Sequence, residues 1–156
     1  MSTDEAMGIT WDEHEVSRLP NGAYAVCCTS CAERIIELAM QAFGVRGEVF
    51  GWDVGKNPTS VVAGPTHGAH LDTGQGHDFA VIDGRYLVDP WAVHTECSSE
   101  RAAFDLDDAD DRCEVLRLYG DPRTWTRRVI NRLGNYEWIP VVPRQLRGHF
   151  PATPRG

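Results

Sequence analysis

One helix stands out in the pattern of apolar and polar positions. Ser30 and Glu33 have the spacing of a capping box, and Gly44 lies where a C-terminal glycine is expected. Between these signals, apolar residues recur along one helical face, at Ala32, Ile35, Ala39 and Phe43. Extended back by one turn, this face includes Cys28, whereas Cys31 lies about 80° to one side, since each residue turns the helix by about 100°. The pattern therefore predicts a helix that presents Cys28 to its packing face.

A hairpin is predicted around Asp83-Gly84, which separates two short stretches of alternating apolar residues. Aspartate followed by glycine is typical of a type I′ turn, because both central residues of that turn need positive φ. With the turn at this place, Ile82 pairs with Arg85 across the hairpin. The two flanking stretches are then neighbouring antiparallel strands.

The hairpin brings a histidine and a carboxylate together. His77 opens the first strand, and the predicted pairing places it close to residues 86–89 of the second strand, which Asp89 closes. A histidine beside a carboxylate is the arrangement of a general base and the group that orients it. His77 and Asp89 are therefore candidate catalytic residues.

The pattern of apolar and polar positions also predicts the elements in the rest of the chain. It predicts a helix at 11–19, a strand at 47–54, a long loop at 55–76, a solvated acidic loop at 98–111, a strand at 113–119, a helix from Asp121 to about Leu133 and a last strand at 136–142. We therefore expect a single α+β domain over residues 1–143, followed by a basic, disordered tail at 144–156.

Composition excludes several classes of protein. A formal net charge of -8 over 156 residues argues against a general phosphate-backbone binder. There is no apolar run of about 18 residues to span a membrane, and residues 1–15 lack the features of a signal peptide. Five cysteines, an odd number, favour a reducing compartment, so we expect a cytoplasmic protein or one secreted by a signal-independent route. No cofactor and no nucleic-acid or membrane partner is expected.

A cysteine would complete a catalytic set. A helix N-terminus and a neighbouring imidazolium both lower the pKa of a thiol and make it a better nucleophile. Cys28 would lie at the N-terminal end of the helix, on the face that packs against the sheet carrying His77 and Asp89. The chain thus offers a Cys-His-Asp triad, although Cys27 and Cys31 compete with Cys28 for the nucleophilic role.

The candidate residues belong to a longer series of residues with a recognisable order and spacing. The series consists of Cys28, Ala32, Gly44, Gly51-Trp52, His77-Asp78-Phe79-Ala80-Val81, Gly84 and Asp89-Pro90-Trp91. In this order and spacing the chain resembles the transglutaminase-like branch of the papain-like cysteine enzymes. The resemblance implies a papain/transglutaminase-like core, with the helix that carries the nucleophile packed on an antiparallel sheet. It also implies a thioester on Cys28, resolved by water or an amine. The segment from Cys28 to Ala32 is also similar to the papain motif Cys-Gly-Ser-Cys-Trp, in which the second cysteine reacts, and that favours Cys31.

Among the activities of such enzymes, we expect protein-glutamine deamidation on a protein or peptide substrate, with proteolysis or acyl transfer to an amine as alternatives. An alternative of another class is structural zinc. Cys28-x-x-Cys31 is followed by His67-x-x-His70, and four such ligands can hold a tetrahedral zinc ion.

Overall fold

The computed structural model describes residues 28–53, 55–62, 76–94 and 99–150. The predicted helix at 11–19, Cys27, and the two histidines of the zinc alternative lie outside these residues. The described helices are α1 (Cys28–Phe43), α2 (Pro90–His94) and α3 (Ala109–Tyr119). The strands are β1 (Gly47–Trp52), β2 (His77–Ile82), β3 (Tyr86–Val88), β4 (Ala103–Asp105), β5 (Thr126–Ile130) and β6 (Tyr136–Pro140).

The six strands form one sheet in the order β4-β3-β2-β1-β5-β6, and every neighbouring pair is antiparallel. Helix α1 packs against one side, where the buried residues are mostly small or aliphatic. The other side carries the larger core, which includes Phe50, Phe79, Tyr119 and Trp125. The predicted α+β class, with an N-terminal helix on an antiparallel sheet, is therefore confirmed. None of the helices in the described ranges is both long and apolar enough to cross a bilayer.

Helix α1 buries Ala32, Ile35 and Ala39 of the predicted apolar face, but Phe43 is 47% exposed and Cys31, predicted to one side of the face, is buried. Gly44 follows the helix with φ of 65°, and its N–H donates to the carbonyl of Met40. The helix starts at Cys28, two residues before the predicted cap at Ser30, so Cys28 lies in the first turn. Its N-terminal end lies next to the start of β2.

The turn at Asp83-Gly84 is confirmed, with φ of 54° and 61° at the two residues. The N–H of Arg85 donates to the carbonyl of Ile82 over 3.0 Å, which closes the turn. The strand register differs from the prediction, because Ile82 pairs with Tyr86 and not with Arg85. Three residues therefore connect β2 and β3.

The predicted strand at 113–119 is wrong, since these residues belong to α3. Asp108 caps this helix by accepting the N–H of Asp111 over 2.9 Å. Val115, Leu118 and Tyr119 are buried at helical spacing, and this packing overrides the apparent alternation of the segment. The predicted acidic loop before it is also wrong in part. It contains β4, and the carboxylate of Asp111 is bound by Arg101 at 2.7 Å.

The predicted helix from Asp121 to Leu133 is wrong as well. Asp121 and Pro122 do start a helical turn, but only a 3-10 turn at Pro122–Thr124. The following segment, rich in β-branched residues, becomes β5 and pairs with β1 and β6. The predicted last strand is confirmed as β6.

The predicted disordered tail begins too early. Residues Arg144–Leu146 form a 3-10 turn, and Leu146 is fully buried in the larger core. The N–H of His149 donates to the carbonyl of Leu146 over 3.1 Å. The ordered domain therefore extends past residue 143.

Candidate active site

The three proposed triad residues lie at the ends of different elements. Cys28 is the first residue of α1, His77 is the first residue of β2, and Asp89 directly follows β3. The backbone N–H of Asp78 donates to Sγ of Cys28 over 3.3 Å. This contact holds the start of α1 against the start of β2, so residues 50 positions apart in the chain meet at one end of the sheet.

His77 and Asp89 form a buried pair. Nε2 of His77 lies 2.7 Å from Oδ2 of Asp89, and both side chains are about as buried as the surrounding core. The same carboxylate oxygen accepts the hydroxyl of Tyr119 over 2.8 Å. Two donors therefore fix the carboxylate, and the carboxylate in turn fixes the orientation of the imidazole ring. Such a carboxylate selects one imidazole tautomer and stabilises the imidazolium.

The second ring nitrogen of His77, Nδ1, is the one that Asp89 does not bind. Since Nε2 is bound to Asp89, only Nδ1 is left for other partners, and it is buried without a conventional hydrogen-bond partner among the described residues. The Cys28 thiol nevertheless lies close enough to influence the protonation of the ring through hydrogen bonding and charge. The ring is thus bound to a carboxylate through Nε2 and lines the same cavity as the sulfur atom.

The surroundings of His77 favour its charged form. Burial by itself lowers the pKa of His77, but the charge and hydrogen bond of Asp89, together with the interactions of Cys28, outweigh burial and raise the pKa to about 10. His77 is therefore an imidazolium at neutral pH. A nearby imidazolium stabilises a thiolate, which is the reactive form of cysteine.

The two competing cysteines occupy different environments. Cys28 is half-buried and lines a cavity, whereas Cys31 is only 3% exposed and packs with Ala32 and Ile35 in the core beneath α1. Helical phase predicted Cys28 on the packing face and Cys31 to one side of it. In the structure Cys31 is the more deeply buried of the two, and Cys28 lies at the helix end beside β2. Cys113, on α3, is exposed and lies outside this cavity.

No family model, curated protein or solved structure matches this chain. The case for a function therefore depends on the geometry of the site itself. Within the described ranges there is no group of three or more His, Cys, Asp or Glu side chains placed to hold a metal ion. His67 and His70, which the zinc alternative requires, are outside those ranges.

An open cavity of about 430 Å³ gives access to the sulfur. Its lining includes Cys28, His77, Asp53, Asp78, Arg128 and Trp138. Trp52, another lining residue, has its ring centroid 5.7 Å from that of His77 and covers one side of the imidazole. The cavity thus exposes the thiol while the imidazole and its carboxylate stay buried behind it.

Sequence reasoning missed Tyr119. Its hydroxyl completes the set around Asp89, but it lies 30 positions further along the chain, in a segment predicted as a strand. Its ring is fully buried, and its carbonyl accepts hydrogen bonds from Asn57 at 2.7 Å and Trp125 at 3.1 Å. Only the burial of an aromatic hydroxyl, which needs a partner, could have indicated a polar contact.

Tyr119→Phe should weaken this arrangement without removing the ring. The variant deprives Asp89 of one of its two donors, and a hydrogen bond to a charged group contributes about 2 kcal/mol. We expect the free energy of unfolding to fall by about that amount, and alkylation of Cys28 to slow severalfold because the carboxylate is held less firmly. Urea unfolding and mass-spectrometric labelling measure the two effects.

Tyr136→Phe is the matched control, since Tyr136 is 60% exposed. A change within about 0.5 kcal/mol is expected there. If Tyr119→Phe behaves like this control in both measurements, the hydroxyl of Tyr119 does not support Asp89.

Proposed function

We propose that this protein is a thiol-dependent acyl-transfer enzyme with a papain/transglutaminase-like core. Cys28 is the nucleophile, His77 is the general acid and base, and Asp89 orients the imidazole. The observation that carries the proposal is the buried His77, which has the Asp89 carboxylate 2.7 Å from Nε2 and lines the same cavity as the Cys28 thiol. A helix that begins at the nucleophile and packs on an antiparallel sheet supports the choice of core.

The reaction begins with the Cys28 thiolate. Its sulfur attacks the carbonyl carbon of an amide, and the C=O π electrons move to oxygen to give a tetrahedral intermediate. The N–H of Asp78, 3.3 Å from the sulfur, stabilises the thiolate before attack. The oxyanion donors that we propose are backbone N–H groups at the N-terminal end of α1.

Collapse of the intermediate needs a proton on the leaving nitrogen. The His77 imidazolium gives this proton, the C–N bond breaks, and the amine leaves an acyl thioester on Cys28. Neutral His77 then takes a proton from water, and the resulting hydroxide attacks the thioester. The C–S bond breaks, the carboxylic acid leaves, and the thiolate and imidazolium are restored.

The substrate that we propose is the side-chain carboxamide of glutamine in a protein or peptide. The cavity is open, so a side chain projecting from another polypeptide can reach the sulfur. Hydrolysis of such a carboxamide releases ammonia and leaves glutamate. Transfer to an amine and peptide cleavage use the same thioester and differ only in the acyl group and in what resolves it.

Two measurements test the proposal. First, the native protein is alkylated with iodoacetamide near neutral pH and the adduct is mapped, with preferential labelling at Cys28 as the expected result. Second, glutamine-containing peptides are incubated with the enzyme, and their intact masses are measured by mass spectrometry. The exchange of NH2 for OH marks deamidation, a larger gain with an added amine marks transfer, and two fragments mark cleavage.

His77→Ala is the control in both measurements. In this variant the alkylation of Cys28 should be slow, and peptides incubated with it should keep their mass. Uniform slow labelling of all accessible cysteines in the wild-type protein, with no mass change in any peptide, would contradict the proposed function.

A further inference from the structure

We propose that the cavity beside Cys28 binds a cationic group of the substrate, an ammonium or a guanidinium, through the carboxylate of Asp78. The inference rests on the proposed function only in taking Cys28 as the reacting atom. It adds a charge preference that neither the triad nor the resemblance to cysteine enzymes requires.

Asp78 is held beside the nucleophile by two contacts. Its backbone N–H donates to Sγ of Cys28 over 3.3 Å. Its Oδ2 accepts a hydrogen bond from the hydroxyl of Thr29, the second residue of α1. The carboxylate is therefore attached to the same helical turn as the sulfur and lines the same cavity.

The second oxygen of this carboxylate lies over a glycine. A Cβ on Gly51 would come within 2.0 Å of Oδ1 of Asp78 and 2.4 Å of the carbonyl oxygen of His77. Only glycine leaves room for the carboxylate in this place. The side-chain hydrogen bond to this carboxylate reaches Oδ2, and Asp78 is only half-buried in the cavity lining, so a substrate can approach the carboxylate.

The surroundings of Asp78 only partly offset the burial of its carboxylate. Burial raises the pKa of this carboxyl, and the hydrogen bond from Thr29 and the charges of His77 and Arg128 offset burial only in part. A bound cation with N–H donors would supply the missing charge and the missing hydrogen bond together.

The rest of the cavity supports the same preference. A second carboxylate, Asp53, lies in the lining. Among the described residues of the lining, Arg128 is the cation outside the triad. It is ion-paired with Glu33. Its guanidinium lies over the rings of Tyr136 and Trp138, 4.5 and 5.4 Å from their centroids. Its charge is therefore already matched, whereas Trp138 keeps 40% of its surface exposed and offers a ring to a further cation.

Charged thiol reagents measure this preference without a known substrate. Methanethiosulfonates of similar size with a trimethylammonium, a neutral methyl or a sulfonate end each form a disulfide with Cys28 and release methanesulfinate. Rates at Cys28 are followed by peptide mapping. We expect the ratio of cationic to anionic rates at Cys28 to exceed the same ratio for a small free thiol by about tenfold, since one unit charge at a few ångströms in a partly buried site has an effect of this order.

Asp78→Asn should remove most of that preference, because asparagine keeps the acceptor for Thr29 and carries no charge. A change in the reactivity of Cys28 itself affects all three reagents and cancels in the ratio. Asp110→Asn, an exposed substitution on α3, is the control for net charge and should keep the wild-type ratio. Asp53→Asn provides a second test should Asp78→Asn fail to fold, with a smaller fall in the ratio expected.

The outcomes separate the two proposals. If the neutral reagent shows no preference for Cys28, the proposed function fails. If it prefers Cys28 but the ratio of cationic to anionic rates is no higher than for a small free thiol, or survives both Asp78→Asn and Asp53→Asn, only the present inference is overturned.

Peptides then locate the cation. Faster deamidation of a glutamine flanked by lysine than by norleucine or glutamate places it on the acyl donor. A preference confined to added cationic amines over neutral ones places it on the acceptor. Equal rates throughout both series overturn the inference.

Discussion

Cys28→Ser is expected to abolish turnover, whereas Cys31→Ser is expected to leave it largely intact. A serine hydroxyl at position 28 stays protonated beside His77 and cannot replace the thiolate. Loss of a nucleophile that acts as part of a triad typically lowers the rate by about 10⁴-fold or more. Cys31 lies in the apolar core under α1, outside the cavity, so its sulfur takes no part in the proposed chemistry.

Cys31→Ser should instead lower the stability of the fold. A hydroxyl buried in place of the thiol is expected to lower the free energy of unfolding by about 1–2 kcal/mol. Peptide turnover and urea unfolding, measured on both variants, give the comparison. A folded Cys31→Ser protein without turnover, together with an active Cys28→Ser protein, would assign the nucleophile to Cys31.

Local signals predicted the elements that depend on local interactions. The apolar face of α1, the positive φ at Asp83 and Gly84, and the strand β6 follow from spacing and turn chemistry within a few residues. The predictions failed where tertiary contacts decide. Residues 113–119 alternate well enough to suggest a strand, but the capping contact of Asp108 with Asp111 and burial against the sheet make them helical.

The segment after Asp121 failed for the same reason. A cap followed by proline indicates that a helix starts, and it says nothing about where the helix ends. Pairing with β1 and β6 ends it after one turn, because residues 126–130 supply β-branched side chains that suit a strand.

The residues of the candidate site also differ in whether local sequence signals could predict them. His77 and Asp89 could be predicted together because one short hairpin connects them. Tyr119 and Asp78 could not, since the first depends on the packing of α3 behind the sheet and the second on a backbone contact with the start of α1. Side chains that complete a site from distant parts of the chain leave no spacing to detect.

Asp89→Asn is expected to slow the reaction by about 10²- to 10⁴-fold, as expected for loss of the group that orients a catalytic histidine. In the wild-type protein Asp89 is the main cause that raises the pKa of His77 against the effect of burial. Asparagine keeps the size of the side chain and removes its charge. Burial then dominates, the pKa of His77 falls below its ordinary value of 6.5, and the imidazole is neutral at pH 7.

The pH dependence of stability should therefore change sign. In the wild-type protein the folded state holds its proton on His77 more tightly than the unfolded state. This contribution to stability is complete below pH 6.5 and is lost as pH rises toward about 10. In Asp89→Asn the unfolded state binds the proton more tightly, so the contribution of His77 is complete above its ordinary pKa and is lost as pH falls below it.

Urea unfolding across this pH range, with Asp110→Asn as the control of equal charge change, measures the difference between the two proteins. The titration of the His77 ring by NMR gives the direction of the pKa shift independently. If Asp89→Asn keeps the wild-type stability profile and labels Cys28 at the wild-type rate, the carboxylate does not hold the imidazolium. The Cys28 thiol would then have to react without a charged partner, which a half-buried cysteine does slowly at neutral pH.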